Sequence, residues 1–151
     1  MEIRVEAGDI TQAKANAIVV GLFEGIKTPG GATAALDRAM DGAISRLIED
    51  GEIKGKEGEV TVIHTLGRLP AARVAVVGLG KQEQFSLQKV RDATATALRH
   101  LRRLGCQTVA SVVLGAGAGG LDPQECAQAM AEGAVMGLYR FRRYKAEEDE
   151  R

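Results

Sequence analysis

Tryptophan is absent, and three phenylalanines and two tyrosines bring the aromatic share to only 3%. A stacking platform for single-stranded nucleic acid needs several aromatic faces in one groove and is hard to assemble from so few rings. Imidazole is as scarce, with His64 and His100 the only two histidines. Neither stands in a context such as G-x-S-x-G that would set a base beside a nucleophile, so each reads as an ordinary structural or surface histidine. Cys106 and Cys126 form no C-x-x-C pair and have no histidine cluster beside them, which argues against a structural zinc site and for two reduced, semi-buried thiols. A net charge of one sign is also missing. Twenty basic and twenty acidic side chains cancel, so whole-chain charge supplies no pull toward nucleic acid or an anionic membrane. No apolar run approaches the roughly 18 residues of a membrane span, and residues 1–6 (MEIRVE) lack the basic-then-apolar order of a signal peptide. The cytoplasm is the expected location.

What remains is a globular balance of 45% hydrophobic and 26% charged residues over 151 positions, the size of one domain with a real core. Residues 2–6 (EIRVE) alternate like an edge or half-buried strand, and residues 16–22 (NAIVVGL) form the continuous apolar run of a central one. Residues 8–11 (GDIT) separate them as a turn. After the breaker TPGG at 28–31, Leu36, Met40, Ala43, Ile44 and Leu47 recur at three-and-four spacing, predicting one helix of about 17 residues with an apolar stripe. Gly51 supplies its C-cap, and residues 52–58 read as an exposed loop. Strands follow at 59–65 and 73–79; their connector is too short for a crossover helix, so as neighbours they must be antiparallel.

A second amphipathic helix starts at Ser86 as N-cap and stops at Gly105. A strand at 108–114 then opens into a glycine loop at 115–120, and Asp122, Pro123 and Glu125 begin a third helix. Ala129, Gly133 and Gly137 form a ridge of small residues on it, expected to bring its backbone close to the sheet. The charged tail AEEDER at 146–151 reads as the start of a linker. Strands interleaved with helices imply an α/β fold, a mixed sheet between helical layers.

The motifs that could carry chemistry are weak. Gly115, Gly117 and Gly120 spell G-x-G-x-x-G, but a proline-initiated helix begins beyond them and no acidic residue closes the next strand, so a glycine loop is the better reading than a dinucleotide site. Gly78, Gly80 and Lys81 suggest a phosphate loop, yet Gln82 stands where a metal-binding hydroxyl belongs; they read as a strand-end turn. The strands carry almost no carboxylates, whereas two-metal hydrolysis needs several converging inward. Arg99, Arg102, Arg103, Arg140, Arg142 and Arg143 are the one basic concentration. Helix-terminal arginines already answer to the helix dipole, so a solvated face outweighs a nucleic-acid patch.

In order and spacing, the segments AIVVGLFE at 17–24, GEIKGKEG at 51–58, VVGLGK at 76–81 and GLYRFRRYK at 137–145 resemble the N-terminal domain of leucine aminopeptidases, the cytosol aminopeptidase family. The resemblance covers essentially the whole chain. It implies a three-layer, macro-domain-like fold over residues 1–145, with 146–151 starting a linker toward a catalytic C-terminal domain. That domain carries the two divalent ions (zinc or manganese), the catalytic lysine and arginine and an N-T-D-A-E-G-R signature. No catalytic, cofactor-binding or metal-binding residue is therefore carried over to this chain. The resemblance further implies that the parent enzyme removes N-terminal amino acids, leucine favoured, as a homo-hexamer in which this domain supports assembly, access or partner contacts. Two alternatives stay open. One is a macro-type module binding ADP-ribose or a related nucleotide: Gly8, Asp9, Ile10 and Thr11 before the strand at 17–20 resemble the start of macro domains, where the aspartate contacts adenine. Against it, the N-A-A-N continuation is replaced by Gly21, Leu22, Phe23 and Glu24, and the phosphate loops would have to be 29–31 and 115–120. The other is a weak DNA-binding accessory domain, since some bacterial relatives bind DNA.

Overall fold

In the computed structural model, residues 8–116 and 120–149 are described, with side chains up to Met136. The strand expected at 2–6 lies outside the described residues. Residues 8–11 do form a tight reversal, in which Asp9 caps a 3-10 turn at Ile10–Gln12. Next come β1 (Ala17–Phe23), α1 (Gly31–Ala39), α2 (Ala43–Glu49), β2 (Val60–His64), β3 (Arg73–Gly80), α3 (Leu87–Arg103), β4 (Val109–Ser111) and α4 (Pro123–Asp149).

The sheet order is β2-β3-β1-β4. β1 pairs in parallel with β3 and β4, and β2 pairs antiparallel with β3, as the short connector requires. Alternation along β1 divides the core in two. Ala17, Val19 and Phe23 face α3, packing with Val77, Ala97 and Leu101. Ile18, Val20 and Leu22 face α1 and α2, packing with Leu36, Met40 and Ile44. This is the expected α/β sandwich.

Several expectations need correction. The single helix after residue 31 is two, because Asp41 and Gly42 adopt left-handed φ values of 61° and 82°. The cause is Asp37, which is buried and folds back on the second helix. Its Oδ1 accepts from the Ser45 amide at 3.0 Å and its Oδ2 from the Ser45 hydroxyl, a side-chain competitor to the helix ladder that periodicity does not report. Arg68 fastens the break by donating to the Met40 carbonyl at 3.0 Å.

The loop at 52–58 is docked rather than free. Ile53 is buried, the Gly80 amide donates to the Gly55 carbonyl at 2.9 Å, and Glu59 Oε1 accepts from the Lys54 and Gly55 amides. A Cβ on Gly78 would lie 1.9 Å from the Lys56 carbonyl oxygen, so that glycine serves close backbone packing, and β3 continues through Gly80 where a strand-end turn was expected. The strand expected at 108–114 is only three residues long.

The ridge of small residues on α4 meets α3 and not the sheet. A Cβ on Gly133 would stand 2.4 Å from the Arg91 carbonyl oxygen, while Val90, Cys126 and Ala129 form a buried cluster between the two helices. α4 itself is helical through Asp149, including residues 146–149. Both thiols are fully buried and unpaired, deeper than expected. Burial pushes the Cys126 thiol up, and the Asp122 and Glu125 carboxylates add to the shift.

Two outcomes follow. Gly133→Ala should force α3 and α4 apart and lower the unfolding free energy by about 1–3 kcal/mol, whereas Gly8→Ala, where a Cβ meets nothing within 4 Å, should change it by less than about 0.5 kcal/mol; urea denaturation measures both. Because the native state holds the Cys126 proton more tightly than the unfolded chain does, its contribution is complete below the ordinary thiol range and declines as pH rises through the elevated value. The urea midpoint should therefore fall on the alkaline side of the thiol range, less steeply in Cys126→Ala.

Candidate functional site

Parallel sheets bind ligands in the crevice beyond the carboxyl ends of their strands. Here those ends are Phe23 of β1, Gly80 of β3 and the turn after β4. β1 supplies Phe23 because its apolar run continues to the strand's last residue, and the 3-10 turn after β3 delivers Phe85 to the same place. Their rings meet edge to face with centroids 4.9 Å apart. Gly115 completes the contact: a Cβ there would lie 2.1 Å from Phe85 Cε2. At Gly21, one turn of the pleat below, a Cβ would crowd Leu79 and Leu114. The Glu24 amide donates to the Gly80 carbonyl at 2.9 Å, tying the ends of β1 and β3. Among the described residues, two rings and the glycines that admit them occupy this part of the crevice. The part played by Phe85 was hidden in the sequence, where it sits alone between polar residues.

The residues considered for catalysis are dispersed. His64 ends β2, exposed at the opposite end of the sheet, and His100 lies in the last turns of α3. Asp9 lies before β1 as the cap of the 3-10 turn at Ile10–Gln12. Its Oδ1 accepts from the Thr11 hydroxyl at 2.8 Å and the Thr11 amide at 3.0 Å, and these two bonds, the hydroxyl first, hold its carboxyl below the usual range. Of the glycine loop, Gly117 lies outside the described residues; Gly120 faces open space. Among the described residues, no three His, Cys, Asp or Glu side chains come together in a way that could hold a metal ion. A di-metal centre does not fit the donors among the described residues. No described helix is long and apolar enough to cross a membrane.

Two small clefts flank α3. One, of about 220 Å³, lies between α3 and the turn at 57–58, where Lys89 pairs with Glu57 at 3.1 Å. The other, of about 210 Å³, is lined by Arg91, Thr96, Arg99 and Met136. Both fall short of the roughly 300 Å³ at which small-molecule pockets begin. Arg102 and Arg103 are exposed at the end of α3. Contacts advance in the same sense along α3 and α4, from Val90 with Cys126 to Arg99 beside Met136, so α4 carries the backbone of residues 140–143 toward the same end. The side chains of Arg140, Arg142 and Arg143 lie outside the described residues.

Comparison with known proteins agrees with this architecture. The pattern described as "Cytosol aminopeptidase family, N-terminal domain" matches residues 19–148. A probable cytosol aminopeptidase of Alkaliphilus oremlandii is 36% identical over 145 residues, covering 96% of this chain and 29% of the relative. One of Geobacter sulfurreducens is 37% identical, with the same coverage. The chain thus spans about three-tenths of the length of these relatives. Among solved structures, the macrodomain of Mycobacterium tuberculosis DarG superimposes with a TM-score of 0.70 over 88% of this chain and 89% of its own, at 23% identity, a likeness of fold. The bottromycin maturation enzyme BotP, also solved in complex with Mn, superimposes with a TM-score of 0.59 at 27% identity over 83% of this chain and 23% of its own. With its macrodomain-like sandwich and its match from β1 through α4, this chain belongs to the cytosol aminopeptidase family, as that family's N-terminal domain.

Proposed function

We propose that this chain is the non-catalytic N-terminal module of a larger leucyl aminopeptidase, and that it serves assembly, access or partner contacts while another domain performs the hydrolysis. The observation that carries this reading is the filled crevice. An α/β fold that bound a substrate or nucleotide at the usual place would keep that place open, and here Phe23, Phe85 and Gly115 pack it shut. No hydrogen bond joins His64, His100 or Asp9 to a thiol or to one another among the described contacts, which supports the same view, since nucleophile, base and orienting group must lie within hydrogen-bond reach to act together. The two divalent ions, zinc or manganese, and the catalytic lysine and arginine then belong to the part of the relatives that this chain does not span. The complete enzyme is read as a cytoplasmic homo-hexamer removing N-terminal amino acids.

A second reading, a macro-type module for ADP-ribose, draws on the structural likeness to macrodomains. It is disfavoured by the same packing and by Asp9, whose Oδ1 is already engaged by Thr11. Nucleic-acid binding rests only on Arg99, Arg102 and Arg103 at the end of α3 and is the weakest of the three.

Incubated with a leucyl chromogenic amide and added zinc or manganese, the chain should release no leucine. Turnover that survives repurification and follows the protein peak would refute the non-catalytic reading. In calorimetry, ADP-ribose should bind with a dissociation constant no tighter than about 1 mM, equivalent to about 4 kcal/mol; a micromolar constant, lost in Asp9→Ala, would favour the macro-type module instead.

A further inference from the structure

β2 is an edge strand of the sheet, and among the described residues its outer side carries no strand. The Gly78 amide donates to the Glu59 carbonyl at 2.7 Å and the Thr65 amide to the Ala72 carbonyl at 3.0 Å. Positions 59, 61, 63 and 65 therefore direct their backbone groups at β3, and the N–H and C=O groups of Val60, Val62 and His64 point away from the sheet. Among the described residues nothing pairs with them. Natural edge strands are normally blunted by a lysine, a proline, a bulge or a covering loop. β2 has no charged residue and no proline, and its five pairs with β3 run without a register shift.

A second anomaly adjoins this edge. The β2–β3 hairpin turns through Leu66 and Gly67, both left-handed, with φ of 54° and 83°, and the Arg68 amide donates to the Thr65 carbonyl at 3.1 Å. Two consecutive left-handed residues make a turn that favours asparagine, aspartate or glycine. Leucine there is strained and, at 87% exposure, gains nothing from its own domain. The turn is nevertheless rigid: Thr65 Oγ1 donates to the Ala71 carbonyl at 2.6 Å, and Arg68 reaches the Met40 carbonyl.

We propose that the outer edge of β2 is a self-association surface, on which β2 of a second copy of this chain pairs antiparallel across a two-fold axis at Val62. The strand is self-complementary in that register. Val62 faces Val62 of the partner subunit and Val60 faces His64 of the partner subunit, so all the outward donors and acceptors are satisfied together, in about six hydrogen bonds. Thr61 comes opposite Ile63 of the partner subunit, and no like charges meet. Just beyond the paired residues, the hairpin tip at Leu66 and the turn at Gly58 of the partner subunit come to the same end of the joint. In this chain a Cβ on Gly58 meets nothing within 4 Å, so there is room for the leucine. One arrangement thus accounts for both the unblunted edge and the strained, exposed leucine. It does not depend on the aminopeptidase reading, which an activity assay tests separately.

Sedimentation equilibrium of the 151-residue chain from about 10 μM to about 1 mM should show the mass rising from 16.0 kDa toward twice that value. Val62→Pro removes an outward donor without touching a β2–β3 bond and should weaken association at least about tenfold. Leu66→Asn should weaken it while raising the melting temperature of the dilute monomer, because asparagine accepts the left-handed turn. Hydrogen exchange needs no variant: the amides of Val60, Val62 and His64 should slow as concentration rises, and those of Thr61 and Ile63 should not. A chain that stays at 16.0 kDa near 1 mM, or one that dimerises with outward amides exchanging at a concentration-independent rate, would overturn the proposal.

Discussion

The seven residues of β1, Ala17–Phe23, have no solvent-facing side. Alternation sends three side chains into the core under α3 and three into the core under α1 and α2, while β3 pairs along its whole length and β4 along Ala17–Val19. Everything else is arranged around that strand. Burying a valine or isoleucine stabilises by about 1.5–3 kcal/mol, so helices must cover both faces, and the connections must cross from one end of the sheet to the other. The carboxyl end of β1 is thereby fixed beside those of β3 and β4, and whatever fills that end decides whether the fold presents a pocket.

In this chain the pocket end is filled by the chain itself. Phe23 continues the β1 core upward, Phe85 closes over it, and Gly115 and Gly21 are small where the rings and Leu79 need room. The same scaffold with small residues at these places would be open. The strand ends of this macrodomain-like fold therefore form part of its core.

The elements that depend on periodicity or on end signals were legible in the sequence. The run at 16–22 foretold β1, Ser86 foretold the cap of α3, and the short connector foretold the antiparallel β2–β3 pair. What escaped depended on contacts between distant residues. The α1–α2 break follows from a buried Asp37 reaching Ser45; the docking of residues 52–58 follows from Gly55 and Gly78 approaching each other's backbone. The small ridge on α4 was visible as a pattern, but only its meeting with Arg91 at Gly133 shows that α3 is its partner. The scarcity of histidine and of carboxylates on the strands was legible. The aromatic plug was not, because an isolated phenylalanine between polar residues gives no periodic signal.

The claim that the strand ends are core and not pocket is tested most directly by the stability of Phe85→Ala, measured by urea unfolding. If Phe85 is a structural plug, its removal should cost about 3 kcal/mol, as the loss of a well-packed ring does. If instead the ring is a movable cover over a latent ligand site, the variant should lose less than about 1 kcal/mol and should bind ADP-ribose more tightly than the parent chain, and that result would contradict the account.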